Sequence, residues 1–250
     1  MPTPRFFCPP DFFVSQSADC ANLPPAVAHH AARVLRLAPG AALSLFDGAG
    51  GEYRAEILAV TRQSVSVRLG ERQAVSRESP LTLTLAQTLQ AADKMEFTLQ
   101  KAVELGVTAI QPLAGRRSVL KLTGERQEKR EARWQSILIA ACEQCGRNHL
   151  PALFPVIALE NWLAALPPAA GALRLMFAPE AEARFSELPV TAAQPLTLLI
   201  GAEGGFAPEE TAAALAAGFL PVRLGARVLR TETAGLAALA AAQTLWGDFG

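Results

Sequence analysis

Residues 198 to 210 read LLIGAEGGFAPEE: an apolar run, then Gly201, Gly204 and Gly205 spaced around Glu203, then a helix start at Pro208. A glycine-rich turn between strand and helix ordinarily holds phosphate, because bare backbone N–H groups and a helix N-terminus attract anions. This turn opposes that chemistry. A P-loop closes with Gly-Lys-Ser/Thr, yet no Lys or Arg occurs from Pro195 to Phe219. In the dinucleotide fingerprint the second glycine lies against pyrophosphate, and here that position is Glu203. What suits the turn is a flat ligand that approaches glycine backbone closely and offers hydroxyls or positive charge to a carboxylate. For the Gly-Gly pair alone, a plain strand-to-helix turn capped by Pro208, Glu209 and Glu210 is the favoured reading.

A second polar turn opens the stretch 224–243, LGARVLRTETAGLAALAAAQ. Gly225 ends a strand pattern, and Arg227, Arg230, Thr231, Glu232 and Thr233 precede a helix of small apolar residues. Thr231 suits an N-cap, and Glu232 the positive end of the helix dipole. Capping leaves the two arginines unexplained, because a guanidinium at a buried strand end needs a partner to offset its desolvation. Ala234, Ala238 and Ala241, one turn apart, permit close contact with another helix or a second subunit. Cys142 and Cys145 form a C-x-x-C near a helix C-terminus, where the dipole raises a thiol pKa, so they read as structural thiols. Cys8, Cys20, His29 and His30 fit no structural zinc spacing, and no metal is expected.

The elements that must carry these turns alternate. After the polar stretch 71–80, ERQAVSRESP, the sequence predicts a strand at LTLTLAQ and a helix at AADKMEFTLQKAVELG. Met95, Leu99, Ala102 and Val103 face inward there, with Gly106 as the stop. A strand VTAIQPL, a helix over 125–145, strands near 153–157, 173–177 and 196–200, a short helix after Pro208, a strand LPVRLG and a helix over 232–246 follow. That alternation predicts an α/β fold with a mostly parallel sheet covered on both faces, and ligands at the carboxyl ends of its strands. Ahead of it, residues 1–75 read as β-rich. Asp47-Gly48 and Gly50-Gly51 mark a hairpin. A helical stretch AVAHHAARVLRL puts Val27, His30 or Ala31, Val34 and Leu37 on one face, and His29, Arg33 and Arg36 on the other.

Composition sets the broad class. The 250 residues are 50% hydrophobic and 18% charged, with zero formal net charge, as in a globular protein large enough for one or two domains. Residues 1–78 carry eight Lys/Arg against seven Asp/Glu, 79–150 ten against seven, and 151–250 five against nine. A basic first part and an acidic last part permit a polyanion to be held by one and different work to be done by the other. No apolar stretch reaches the roughly 20 residues of a bilayer span, and the N-terminus shows no secretory pattern; the expectation is a cytoplasmic protein without membrane contact.

Together LLIGAEGGF, LGARVLRTETA, KMEFTLQKAVELGV, WQSILIAACEQCGR, PRFF and HHAARVLRL resemble the RsmE family, the small-subunit ribosomal RNA uridine-N3 methyltransferases of the SPOUT superfamily. The resemblance runs end to end. It implies a PUA-like RNA-binding β-barrel domain over 1–73, a SPOUT α/β trefoil-knot methyltransferase domain over 74–250, and a homodimer. The ligand of the first turn is then S-adenosylmethionine, held by Leu199, Ile200, Gly201, Glu203, Gly204, Gly205, Leu224, Gly225, Val228, Leu229, Arg230, Thr231, Thr233 and Ala234. The family usually has proline after the first glycine of the turn, and here it is Ala202. Arg230 is the expected stabiliser of charge on the uracil; Glu203, Glu232 and His30 are the candidates for a base, with bulk hydroxide or water as the alternative once the anion is stabilised. Contacts to 16S ribosomal RNA are expected from Arg5, His30, Arg33, Arg36, Lys94, Lys101, Arg116, Arg117 and Arg147. The alternatives are a SPOUT enzyme acting on ribose or another base, a non-catalytic ribosome-assembly factor, and, disfavoured by Glu203, a nucleotide-dependent dehydrogenase.

Overall fold

The structure is a computed structural model that describes all residues except 1, 2, 16, 18, 170, 192 and 193. Two units make up the chain: Met1–Glu78 with Cys142–Leu150, and Ser79–Ala141 with Pro151–Gly250.

In the first unit β1 (Arg5–Phe7), β2 (Ala21–Asn22), β3 (Ala42–Phe46), β4 (Gly51–Val60) and β5 (Val65–Ala74) form one sheet in the order β1-β3-β4-β5-β2. Only β1–β3 is parallel. Asp47 makes the expected hairpin turn, its Oδ1 accepting the N–H groups of Ala49 and Gly51 at 2.8 and 2.8 Å. Strand β5 runs on into the polar stretch as far as Ala74, because that residue pairs with Gly51. Helices α1 (Pro10–Ser15) and α2 (Pro25–His29) cover the core of Phe6, Phe12, Leu43, Leu45, Ile57 and Val67.

Beyond α2 the helix widens into a π turn over His30–Val34, with Leu35 N–H bonded to His30 O. This shifts the face foreseen from a 3.6-residue period. Ala28 and Ala31 are buried, whereas Val34, expected inward, is 59% exposed. Arg33 and Arg36 are exposed, as the sequence predicts.

A polar cluster closes the unit. Arg5 donates to Glu52 Oε2 and to Asn148 Oδ1, each at 2.7 Å, above the ring of Phe46. Asn148 Nδ2 and Arg77 Nη1 also reach Glu52 Oε2, both at 3.1 Å. Burial opposes charge on Glu52, but the hydrogen bonds from Arg5, Asn148 and Arg77 outweigh it and hold the carboxyl at about 2, against an ordinary 4.5.

The second unit is a wholly parallel sheet. Its strands are β6 (Leu83–Thr88), β7 (Ala109–Ala114), β8 (Ala152–Leu153), β9 (Ile157–Ala158), β10 (Leu173–Phe177), β11 (Leu196–Ile200) and β12 (Leu220–Val222). They run β12-β10-β11-β6-β7-β8, with β9 also on β7. Leu196, Leu198, Leu199 and Ile200 of the interior strand β11 are all at most 2% exposed, as a strand covered on both faces requires.

Helices α5 (Leu159–Ala165) and α6 (Pro208–Ala216) pack with Leu199, Ala86 and Met176 on one face. On the other lies α7 (Thr231–Trp246), whose Gly235 faces Leu85 and Ile200. A Cβ at Gly235 would stand 2.9 Å from Gln87 Oε1, so glycine there lets the helix settle onto the strand ends. Helix α3 (Ala92–Glu104) buries Met95, Leu99, Ala102 and Val103 as expected. Gly106 turns the chain at φ 79. Helix α4 (Gly124–Cys145) follows the expected span, and Cys142 is buried near its end, its thiol pushed up by burial to about 12. No helix among the described residues is long and apolar enough to cross a membrane.

Glu52 gives the first expected outcome. Its stabilising charge is fully present above pH 4.5 and is lost as pH falls through about 2. Glu52→Gln is expected to lower unfolding free energy at pH 7 by about 1–2 kcal/mol, less than the full shift because solvent screens part of it. In urea titrations the gap to wild type should close between pH 4.5 and 2. A gap that persists at low pH would assign the loss to packing instead.

Candidate functional site

The carboxyl ends of β10, β11 and β12 open into a cavity of about 710 Å³. One wall is the turn after β11, residues 201–206; a second is the loop 223–229 after β12; a third is the stretch 178–180 after β10. Arg230, Thr231 and Ala234 close it from the start of α7, with Lys94 of α3 and Arg117 of the loop after β7.

Thr231 joins these walls. Its Oγ1 donates to Gly201 O at 2.5 Å and accepts from Gln87 Nε2 at 3.0 Å. The hydroxyl is therefore not the N-cap read from sequence. Arg230 occupies the cap position in extended conformation, Thr231 is the first helical residue, and no side chain caps the helix. Gln87, next to last in β6, pairs with Ile200 of β11, so three chain segments meet in one hydrogen-bond chain.

Glu210 fastens the turn after β11 from below. At 2% exposed, its carboxylate accepts the N–H groups of Ala207 and Arg116, each at 2.7 Å. It thus ties that turn to the loop after β7. Arg117 donates to Gly204 O at 2.7 Å. A turn without a cation in its own sequence thereby acquires one from another loop.

All residues expected to hold the ligand line the cavity except two. Leu199 is fully buried on the face covered by α5 and α6, because successive residues of a strand point to opposite faces. Thr233 is exposed, on a side of α7 turned away from the cavity. The end of β10 and the residues that follow it, Met176 to Glu180, also line the cavity and were not among the residues expected from sequence. The rule that ligands sit at strand carboxyl ends applies to β10 as much as to its neighbours β11 and β12.

The charges are already partly matched. Lys94 pairs with Glu232 at 3.1 Å. Burial raises the Glu232 pKa, but a hydrogen bond from its own backbone N–H and the Lys94 ammonium prevail and keep it below the ordinary carboxylate range. Glu203 faces the cavity, with Ala91 N–H at 3.5 Å from Oε1. Arg230 is exposed and forms no ion pair among the described residues.

Of the residues expected to touch RNA, Lys94 and Arg117 line the cavity, and the others fall into four groups. Arg33 and Arg36 are exposed. Lys101 pairs with Glu104 at 2.7 Å, and Arg116 with Glu160 at 2.6 Å. Arg5 and Arg147 are committed within the first unit, Arg147 being 4% exposed and paired with Glu78 at 2.7 Å. His30 is half-buried, edge-on to Phe6.

The family profile described as an RNA methyltransferase domain matches residues 77–243, and one described as an RNA methyltransferase PUA domain matches 23–70. Ribosomal RNA small subunit methyltransferase E of Buchnera aphidicola (Schizaphis graminum) is 34% identical over 88% of each chain. The chain belongs to the ribosomal RNA small subunit methyltransferase E family. The Neisseria gonorrhoeae methyltransferase E, crystallised with S-adenosylmethionine, aligns with TM-score 0.89 and 38% identity, over 99% of this chain and 100% of that one. A Legionella pneumophila methyltransferase solved with bound SAM aligns over 100% of both chains, with TM-score 0.92 and 37% identity.

The cavity suits the S-adenosylmethionine bound in these two solved structures. Its volume is in the usual range of roughly 300–1,000 Å³ for small-molecule sites. At Gly205 (φ 67) and Gly225 (φ 150) an added Cβ would meet no protein atom within 4 Å, so both glycines leave open room beside backbone. Ile200, Leu224 and Val228 offer apolar surface for a flat ring, and Glu203 offers an acceptor for hydroxyls.

Thr231→Val keeps the shape but removes the hydroxyl from Gly201 O and leaves Gln87 Nε2 only its 3.3 Å bond to Thr88 O. Each such variant, Thr231→Val or Glu210→Ala, is expected to cost about 1–3 kcal/mol of unfolding free energy. Urea denaturation curves superimposable on wild type would show that these bonds contribute nothing.

Proposed function

We propose that the protein transfers the methyl group of S-adenosylmethionine to N3 of a uridine in 16S ribosomal RNA, as a homodimer whose second unit carries the trefoil knot of SPOUT enzymes. The observation that carries this reading is the convergence of the turns after β11 and β12 on one cavity containing Glu203 and Arg230, in a chain of the methyltransferase E family. In this reading Met1–Glu78 supplies RNA binding, through exposed residues such as Arg33 and Arg36.

Bound S-adenosylmethionine supplies an electrophilic methyl carbon on a sulfonium cation. The turn 201–206 and the loop 223–229, which line the cavity, would hold it, with Glu203 as acceptor for hydroxyls and Leu224, Val228 and Leu229 as apolar surface for the ring. Uracil N3 carries a proton that ionises only above neutral pH, so its nucleophilic form is an anion with charge on N3 and both carbonyl oxygens. In this reading Arg230, which lines the cavity and forms no ion pair among the described residues, donates to those oxygens and favours the anion.

Of the candidate bases, Glu203 lines the cavity, while Glu232 is held charged by Lys94 and does not line it. A carboxylate already stabilised as the anion is the poorer proton acceptor. The remaining contribution is alignment of N3 with the methyl carbon, which the rigid strand ends supply.

The test is nucleoside mass spectrometry on unmodified small ribosomal subunits incubated with protein and S-adenosylmethionine. Wild type should yield N3-methyluridine. Arg230→Ala should lower kcat by about 10²–10³-fold, as removal of one oxyanion donor does, with a smaller change in cofactor affinity. Another methylated nucleoside would refute the N3 assignment and keep the methyltransferase; RNA binding with no methylation would favour an assembly factor.

A further inference from the structure

The last hundred residues are poor in positive charge, and what they have is concentrated. Residues 151–250 hold five arginines and no lysine against nine acidic residues. Arg174 is used internally, donating to the carbonyls of Ala217 and Pro167 at 2.8 and 2.5 Å. The other four, Arg184, Arg223, Arg227 and Arg230, all border two adjoining cavities.

The second cavity, about 520 Å³, is bounded by Arg184, Ser186, Arg223 and Gly225, and by Ala241 and Leu245 of α7. It shares Arg223, Leu224 and Gly225 with the cofactor cavity, so that loop is a wall common to both. Its arginines stand on fixed backbone. Arg223 N–H donates to Ala183 O, and Phe185 N–H to Arg223 O, both at 3.0 Å. The Phe185 ring between them is buried against Phe177 and Trp246. Arg184 meets Glu187 at 3.3 Å, with both side chains more than half exposed, a pairing that solvent makes easy to exchange. Among the described residues no carboxylate pairs with Arg223.

We propose that this second cavity is a phosphate subsite for the substrate RNA, in which Arg184, Arg223 and the Ser186 hydroxyl take backbone phosphates beside the nucleotide whose base enters the first cavity. The proposal rests on the RNA-methyltransferase reading above. A forked guanidinium matches phosphate oxygens in pairs, and phosphate contacts set the register of a nucleic acid without reading its sequence. The acidic surroundings make the choice of place specific: four arginines among nine carboxylates attract a polyanion only where they gather.

The experiment titrates small-subunit ribosomal RNA against wild type, Arg184→Ala, Arg223→Ala and Arg184→Lys at several salt concentrations. Cofactor affinity, methylation and sedimentation velocity are followed in parallel. A phosphate contact to single-stranded RNA contributes about 0.7 to the slope of log K against log salt. Each alanine variant is expected to lose about that much slope and to bind RNA several-fold more weakly at low salt. Arg184→Lys should keep the slope, and Arg184→Ala should keep the cofactor affinity, since Arg184 does not border the first cavity. Unchanged slopes in both alanine variants would overturn the subsite and leave the methyltransferase reading standing. A change confined to self-association would also overturn it, assigning the arginines to carboxylates of a second copy. Wild type that neither binds nor methylates the RNA would sink both readings.

Discussion

The Thr231 hydroxyl, between Gly201 O and Gln87 Nε2, is the contact on which the second unit's working end depends. The interior strands β6 and β11 carry apolar side chains on both faces, so polar groups of the backbone are available only where the strands stop. At that edge three segments end together: β6 at Gln87 and Thr88, β11 at Ile200, and α7 at its first residue. One side-chain hydroxyl spans all three because Gly235, with no Cβ, lets α7 approach Gln87. The cavity is what the turns enclose once that junction has fixed their starting points.

The electrostatics of the cavity follow from what is already paired. Lys94 is matched by Glu232, whereas Arg117 donates to the neutral Gly204 carbonyl and keeps its charge on the cavity wall. Glu203 and the arginines of the second loop remain. A carboxylate on one wall and guanidinium groups on another divide the space into a side that suits a cation and hydroxyls and a side that suits developing negative charge. The buried Glu210 carries no part of this. Both of its short bonds go to backbone N–H groups, and their result is a turn held in one shape.

The first unit uses charge differently. Glu52 collects Arg5, Arg77 and Asn148 around one carboxylate oxygen. Arg147 meets Glu78 in the same unit. These arginines come from segments far apart in sequence, and their pairing fixes the position of Cys142–Leu150 against β1 and β4 within that unit. Arginines that look like RNA contacts by type are thus structural by position.

Much was legible in the residues alone. The parallel sheet follows from alternating periodicities, the inward face of α3 from its apolar spacing, and the turn at Gly201 from a strand pattern that stops there, whereas β12 ends at Val222, three residues before the Gly225 read from LPVRLG. Local chemistry determines these, and local chemistry is what a sequence displays. Tertiary structure alone decided which loops share a cavity. Arg117 reaches the first turn across 87 positions, Gln87 reaches Thr231 across 144, and the β10 end enters because it adjoins β11 and β12. It also decided that Thr231 bridges strands instead of capping a helix, and that Val34 turns outward at a π turn. The physical reason is the same in each case: a side chain's partner is chosen by distance in space, and strand order places neighbours that sequence order keeps apart.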